Sequence, residues 1–184
     1  LMSEGEKMSK SLGNFYTVHE LLEEFPGEAI RLLLLQSHYR QPLDFTKAGI
    51  AEARRTMDRW YRAVDGVEPD GPVAQTVIDA LADDLNTPKA IAELHKLSTS
   101  DPAGLLASAR LMGLLEQPAE GWFKWQPPSS AGGLDNMTID ALIEERVEAR
   151  QNRDFATSDR IRDDLAAQGI ILEDGPAGTS WRRG

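Results

Sequence analysis

Most of the chain consists of short apolar runs at helical spacing, separated by polar turns. Between residues 47 and 64 the large apolar residues recur along one stripe, which predicts a helix with one buried face, begun by Thr46. The residues of that stripe are Ile50, Met57, Trp60 and Tyr61. The run 28–37 has apolar residues on most of its faces, which is typical of a buried helix.

Polar residues before these runs predict where further helices begin. Thr17 and Glu20 form a capping-box pattern ahead of a short helix. Thr87, followed by Pro88, predicts the start of a helix that continues to about residue 97. Asp101 repeats this arrangement before a helix to about residue 115. Short helices joined by short polar turns indicate a helical bundle, so the fold class is mainly α.

Beyond a linker rich in proline, serine and glycine, the pattern changes. Thr138 is predicted to cap a helix that ends near residue 152, and a second helix follows over 154–168. The run 170–173 and the later run "TSWRR" then predict two strands of a hairpin. This tail is therefore expected to be a small α+β domain, with Phe155 and Ile161 on the apolar face of its helices.

Composition excludes several kinds of site. The chain has no cysteine, which rules out disulfides and thiolate metal sites, and its three histidines are far apart in sequence. The formal charge of −10 argues against a protein that holds nucleic acid through overall positive potential. No apolar run is long enough for a membrane span or a signal peptide. Any contact with nucleic acid must therefore depend on particular basic residues.

The segment "GEKMSKSLGN", residues 5–14, combines two lysines and two serines between glycines. Such a segment can be an ordinary solvated loop. It can also hold phosphate, because the ammonium groups of Lys7 and Lys10 and the hydroxyls of Ser9 and Ser11 can all contact phosphate oxygens. The flanking glycines would allow the loop to close over a ligand. We therefore interpret the segment as a phosphate-binding loop.

Lys7-Met8-Ser9-Lys10-Ser11 resembles the KMSKS signature of class I aminoacyl-tRNA synthetases. The resemblance implies that the loop binds the triphosphate of ATP, with Mg²⁺, while an amino acid attacks the α-phosphate. Lys7 and Lys10 would then be catalytic, because their charge offsets the charge that develops on the leaving pyrophosphate. Lys10, with Ser9 and Ser11, would bind the nucleotide.

Three further segments resemble cysteinyl-tRNA synthetases of the bacterial type: 27–45, 83–94 and 150–183. The first contains Glu28-Ala29-Ile30-Arg31 in the place of the tetrad that names the DALR domain. The resemblance implies four regions, which are the loop and connecting helix at the end of the catalytic core (1–24), a DALR-type bundle (25–125), a linker (126–136) and an anticodon-binding domain (137–184). It also implies a cytoplasmic, monomeric protein with cysteine and tRNA(Cys) as substrates.

The nucleotide-binding domain of that family, with its H-I-G-H motif and its zinc, has no counterpart in this sequence. We therefore expect the chain to be the C-terminal portion of a longer protein, an expectation that the initial Leu1 supports. Alone it should not activate cysteine, and zinc would belong to the parent protein. Within the tail, the resemblance implies that Arg150, Asp159 and Asp174 contact anticodon bases.

Trp181 has two possible roles that the sequence does not separate, closing the core of the tail or stacking on a base of tRNA. Arg160 and Arg162 lie among aspartates, so surface ion pairing is expected for both. Two other functions remain open: a ligase that joins cysteine to an amino sugar, and a free-standing RNA-binding module. The tail argues against the amino-sugar ligase, which has no reason to keep an anticodon module.

Overall fold

The computed structural model describes residues 2–3, 5–9, 15–128, 133–175 and 178–183. The chain divides into two compact units, Leu1–Trp122 and Phe123–Gly184. Within the described ranges no helix is long and apolar enough to cross a membrane. The longest helix has 17 residues and is amphipathic.

The first unit is mainly helical, in agreement with the predicted fold class. It begins with two short antiparallel strands, β1 (Met2–Ser3) and β2 (Glu6–Lys7). Seven helices follow in the described residues: α1 (Val18–Leu22), α2 (Gly27–Leu35), α3 (Lys47–Ala63), α4 (Gln75–Ala82), α5 (Thr87–Ser100), α6 (Pro102–Arg110) and α7 (Ala119–Phe123).

Helix α3 has the buried stripe that the sequence predicts. Ile50, Met57, Trp60 and Tyr61 are each at most 1% exposed. Burying one such side chain contributes roughly 1.5–3 kcal/mol, so this stripe is a large part of what holds the bundle together. Thr46 caps the helix as expected, because its hydroxyl accepts from the amide of Gly49 at 3.0 Å.

The capping box is confirmed, but two other predicted caps are one or three residues out of place. At α5 the cap is Asn86, whose side chain accepts from the amide of Lys89, and not Thr87. At the first helix of the tail the cap is Asp135, which accepts from the amide of Thr138. In both places an amide or carboxylate oxygen upstream of the threonine takes the role, and the threonine becomes helical.

Glu28 and Arg31, the first and fourth residues of the Glu-Ala-Ile-Arg tetrad, bind the same distant segment. The Glu28 carboxylate accepts from the main-chain amide of Leu115 at 2.7 Å and from the Tyr61 hydroxyl at 2.9 and 3.0 Å. Arg31 donates to the carbonyl of Gly113 at 2.6 Å. The tetrad therefore joins α2 to the chain that follows α6. Burial, followed by the Glu28 charge, raises the pKa of Tyr61.

Replacing Tyr61 by phenylalanine is expected to lower the free energy of unfolding by about 2 kcal/mol, because the half-buried Glu28 carboxylate loses one of its donors. Chemical denaturation followed by tryptophan fluorescence measures this change. Tyr39→Phe is the matched control, since the Tyr39 hydroxyl also donates to a carboxylate, Asp84, but the residue is 60% exposed. Equal losses in the two variants would contradict this account of Glu28.

The second unit contains α8 (Asn136–Gln151), α9 (Phe155–Ala167) and an antiparallel hairpin of β3 (Ile170–Gly175) and β4 (Gly178–Arg183). Gly169 ends α9 with φ of +74°, a conformation that glycine adopts without strain. The predicted order of two helices and a hairpin is thus confirmed. Its core is formed by one set of buried residues: Ile139, Ile143, Ile161, Leu165, Ile170 and Trp181.

Candidate nucleotide loop and nucleic-acid interface

The start of the phosphate-binding loop is positioned by pairing with a distant segment. Met2 donates from its amide to the carbonyl of Leu43 at 2.8 Å, and Phe45 donates to the carbonyl of Met2 at 2.8 Å. Gly5, with φ of +80°, forms the turn between β1 and β2, and its amide donates to the Asp44 carboxylate at 3.3 Å. The loop therefore leaves from a small hairpin that residues 43–45 hold in place.

Lys7 is the last residue of β2 and is exposed, while Ser9 is half-buried. Lys10 and Ser11, the other predicted ATP-binding residues, lie outside the described residues. The structure thus places the first lysine of the motif at the exit of an anchored hairpin. The contact of all four residues with ATP stays a prediction.

In the second unit a charged cluster surrounds Asp174, which lies on β3. Arg146 donates to both carboxylate oxygens of Asp174, from Nη1 to Oδ1 and from Nη2 to Oδ2, each at 3.2 Å. The hydroxyl of Thr179, the cross-strand neighbour of Asp174, donates to Oδ1 at 2.6 Å. Arg150 reaches Oδ2 at 3.5 Å. Two of the predicted RNA-contacting residues, Arg150 and Asp174, are therefore adjacent.

Asp159, the third residue of that set, pairs instead with Arg162 at 3.2 Å. Arg162 also pairs with Asp163 at 3.0 Å, as its position among aspartates predicted. The same arginine lines a shallow pocket of about 280 Å³ together with Arg146 and Asp174. Arg162 therefore pairs with Asp159 and also lines the same pocket as Asp174, whereas from the sequence we expected only an ion pair for it.

The other residues that line this pocket are apolar: Ala166, Ile170, Ile171 and Leu172. A pocket lined by apolar side chains together with carboxylate and guanidinium groups is suited to a planar heterocycle that carries both hydrogen-bond donors and acceptors. An unpaired nucleobase has these properties. The arrangement can therefore hold a base of a single-stranded RNA loop.

Trp181 lies in the core of the unit and is 5% exposed. Its Nε1 donates to the Asp140 carboxylate at 2.6 Å, and Lys124 lies over its ring at 4.8 Å from the centroid. Of the two roles considered from the sequence, the structure gives Trp181 the packing role. Its contact with tRNA is untested and stays a prediction.

Phe155 is 62% exposed, which corrects its assignment to the apolar face of the tail helices. The reason is its position, since Phe155 is the first residue of α9, directly after the cap Asp154, and precedes the buried turn of the helix. Ile161 is buried as expected. An exposed aromatic ring beside a capping residue offers a surface on which a base can stack, a role that periodicity alone does not reveal.

The Asp174 carboxyl is strongly acidified by its neighbours. Hydrogen bonds from Arg146, followed by that from Thr179, lower its pKa from 3.8 to about 2. Since the native pKa lies below the unfolded value, the carboxylate adds stability above about pH 4, and this contribution is lost as the pH falls from about 4 to about 2. Because half of the side chain is exposed, the contribution is small.

We therefore expect the unfolding free energies of the natural protein and of Asp174→Asn to differ by a constant amount above pH 4 and to converge toward pH 2. Thr179→Val should shift the midpoint of the Asp174 titration upward, because one donor to Oδ1 is lost. Carbon-13 detected titration of the carboxyl group measures that midpoint. A midpoint near 3.8 in the natural protein would show that the cluster does not form in solution.

Three family models match the chain. The catalytic domain of the tRNA synthetases class I (C) matches residues 1–55, the DALR domain matches 76–100, and the cysteinyl-tRNA ligase anticodon binding domain matches 136–182. The last match covers α8, α9 and the hairpin with the Asp174 cluster. The segment 27–45, in which the resemblance placed the start of the DALR-type bundle, lies entirely within the first match.

Curated relatives cover the chain from end to end. It is 51% identical over 193 residues to a cysteine–tRNA ligase of Acidiphilium cryptum, an alignment with 100% of this chain and 42% of that protein. It is 55% identical over 192 residues to a cysteine–tRNA ligase of Rhodospirillum centenum, an alignment with 97% of this chain and 42% of that protein. For a cysteine–tRNA ligase of Paramagnetospirillum magneticum the identity is 50% over 202 residues, with 100% of this chain and 44% of that protein aligned. The chain therefore spans about two fifths of the length of these relatives.

Proposed function

The chain belongs to the cysteine–tRNA ligase family, and from this membership we propose that the whole protein activates cysteine with ATP and transfers it to tRNA(Cys). The observation that carries the proposal is the similarity, at about half of all positions, over the full chain from the loop to the hairpin. Within this activity the chain supplies part of the ATP site and a surface that binds the anticodon of the tRNA.

The loop supplies positive charge to the first step. In that step the carboxylate of cysteine attacks the α-phosphorus of ATP, the bond to the β-phosphate breaks, and pyrophosphate leaves with its electron pair. Lys7 and Lys10 would neutralise the charge that grows on this leaving group, and Ser9 and Ser11 would donate hydrogen bonds to phosphate oxygens. Support comes from the anchored hairpin, which brings Lys7 to an exposed position at the base of the loop.

The second unit supplies recognition of the tRNA. Asp174 accepts hydrogen bonds, so it suits the amino group of cytosine or adenine, whereas Arg150 donates and suits the acceptor edge of a base. Asp159 would act beside them through the Arg162 pair. The exposed side chains of Arg150 and Asp174, which lie 3.5 Å apart, support this assignment. The overall negative charge is compatible with it, because base contacts and not bulk potential would give the binding.

Two metals enter this proposal in different ways. Mg²⁺ would accompany ATP and contact its phosphates. Zinc, which the family uses for cysteine, does not fit this chain, since it has no cysteine and its described residues contain no group of three histidine, aspartate or glutamate side chains that could hold a metal. We therefore assign no step to zinc here. We also propose that the whole protein is a monomer and that it is located in the cytoplasm.

The test uses the full-length protein with cysteine, ATP and one of two acceptors, a tRNA(Cys) transcript or an amino sugar. We expect cysteine-dependent exchange of pyrophosphate into ATP and formation of cysteinyl-tRNA, with no product from the amino sugar. Transfer to the amino sugar in place of tRNA would overturn the proposal. Binding of tRNA without any exchange would instead indicate a module that only binds RNA.

A further inference from the structure

Arg146 is a charged residue in the interior of the second unit. It lies on α8, between two core positions of that helix, and is 5% exposed. Its two terminal nitrogens form a fork with the two oxygens of Asp174, and Nη1 also lies 3.4 Å from the Thr179 hydroxyl. The fork is the most specific arrangement that an arginine and a carboxylate can form.

Stability alone does not account for this arginine. Its Nε is buried without a hydrogen-bond partner among the described residues, and an orphaned buried donor costs about 1–3 kcal/mol. Taking the guanidinium out of water carries a further cost, and its partner Asp174 is half exposed, so the attraction between the two charges is screened by solvent. An aliphatic side chain of similar length would therefore hold α8 against the hairpin without this cost. The presence of the guanidinium is therefore better explained by its contact with Asp174 than by packing.

Asp174 is held from one side and open on the other. Arg146 and Thr179 contact its oxygens from within the unit, while 53% of its side chain faces solvent. Arg150 is also about half exposed and touches Oδ2 only at 3.5 Å, the limit of a hydrogen bond. Arg146 is thus the fixed partner of Asp174, and Arg150 is the one that can leave for another ligand.

We propose that Arg146 is a positioning residue for RNA recognition: it fixes the Asp174 carboxylate in the one orientation in which the exposed oxygen lone pairs accept from the amino group of an unpaired base. This inference rests on the proposed function, and it adds a residue that makes no contact with the RNA itself. It also explains why the two arginines, Arg146 and Arg150, have different roles. The buried one orients the acceptor, and the exposed one is free to donate to the base.

The experiment compares variants of the full-length protein in tRNA aminoacylation and in cysteine-dependent pyrophosphate exchange. Arg146→Met is expected to raise the KM for tRNA about tenfold and to leave exchange unchanged. Arg146→Lys keeps the charge but cannot contact both oxygens, so a smaller increase is expected. Arg182→Gln is the matched control, because Arg182 pairs with the neighbouring carboxylate Glu173 at 2.7 Å on the same hairpin. Its KM should stay at the natural value.

A double variant separates positioning from a structural role. If Arg146 acts through Asp174, then Arg146→Met should add little to the increase in KM caused by Asp174→Asn, because the group it positions is already lost. Increases that multiply would overturn the inference, as would an unchanged KM in a folded Arg146→Met or, if that variant does not fold, in Arg146→Lys. Failure of the natural protein to charge tRNA would reject the proposed function instead.

Discussion

Replacing Lys10 by alanine in the full-length protein is expected to lower the rate of cysteine-dependent pyrophosphate exchange by about 10²–10³-fold. Removing one preorganised donor from a site of developing charge has an effect of this order. The affinity for cysteine should change little, because the lysine acts on the phosphates and not on the amino acid. Stopped-flow measurement of adenylate formation gives both the rate and the apparent affinity.

The control for this experiment is Lys96→Ala, a lysine whose ammonium pairs with Glu93 at 2.7 Å on the surface of α5. Its exchange rate should equal that of the natural protein. Lys7→Ala should also slow exchange, since the hairpin of β1 and β2 leads directly into the loop. An unchanged rate in Lys10→Ala would reject the assignment of this loop to the triphosphate.

Arg150→Ala is expected to lower kcat/KM for tRNA aminoacylation by about 10–100-fold, because one good contact with a base is worth about 1–3 kcal/mol. Pyrophosphate exchange should be unaffected, since Arg150 belongs to the unit that matches the anticodon binding domain. Its contact with Asp174, at 3.5 Å, is weak, and the variant should therefore keep its fold. Parallel assays of the two reactions check the separation.

Arg160→Ala provides the comparison for Arg150, as Arg160 is also exposed but lines a different pocket, with Leu134, Leu142 and Ile161. We expect near-natural aminoacylation from it. Equal losses of aminoacylation and exchange in Arg150→Ala would point to misfolding, and equal losses in both arginine variants would point to a general electrostatic effect.

The helices and the hairpin could be predicted because each depends on local rules. A buried stripe such as that of α3 requires apolar residues at helical spacing, and the spacing is visible in the sequence. Caps were predicted less well where two polar residues compete. Asn86 and Thr87 can both accept a hydrogen bond from the first turn, and the preference for asparagine emerges only from the backbone path.

Only those residues of the candidate site that belong to recognisable sequence motifs could be predicted. Arg150 and Asp174 were identified by resemblance, but the contacts that Arg150 and Arg146 make with Asp174 span 24 and 28 positions of sequence and depend on how the hairpin packs on α8. Position 146 falls on the same face of α8 as Ile139 and Ile143, but an arginine on a helix is usually at the surface, so its burial was not predicted. Phe155 was wrongly predicted to be buried because it is aromatic. It is the first residue of α9, where a side chain can face solvent although the later apolar residues of the helix are buried.

The clamp formed by Glu28 and Arg31 has a consequence for how sequences of this kind can diverge. Both side chains bind main-chain atoms, so the clamp does not depend on which side chains follow α6, with one exception. A Cβ added at Gly113 would collide with the Arg31 guanidinium, and the φ of +69° there already favours glycine. A substitution at position 113 therefore affects the side chain at position 31. In homologous chains that lack this glycine, the hydrogen bond from the arginine at position 31 to the carbonyl of residue 113 should be absent.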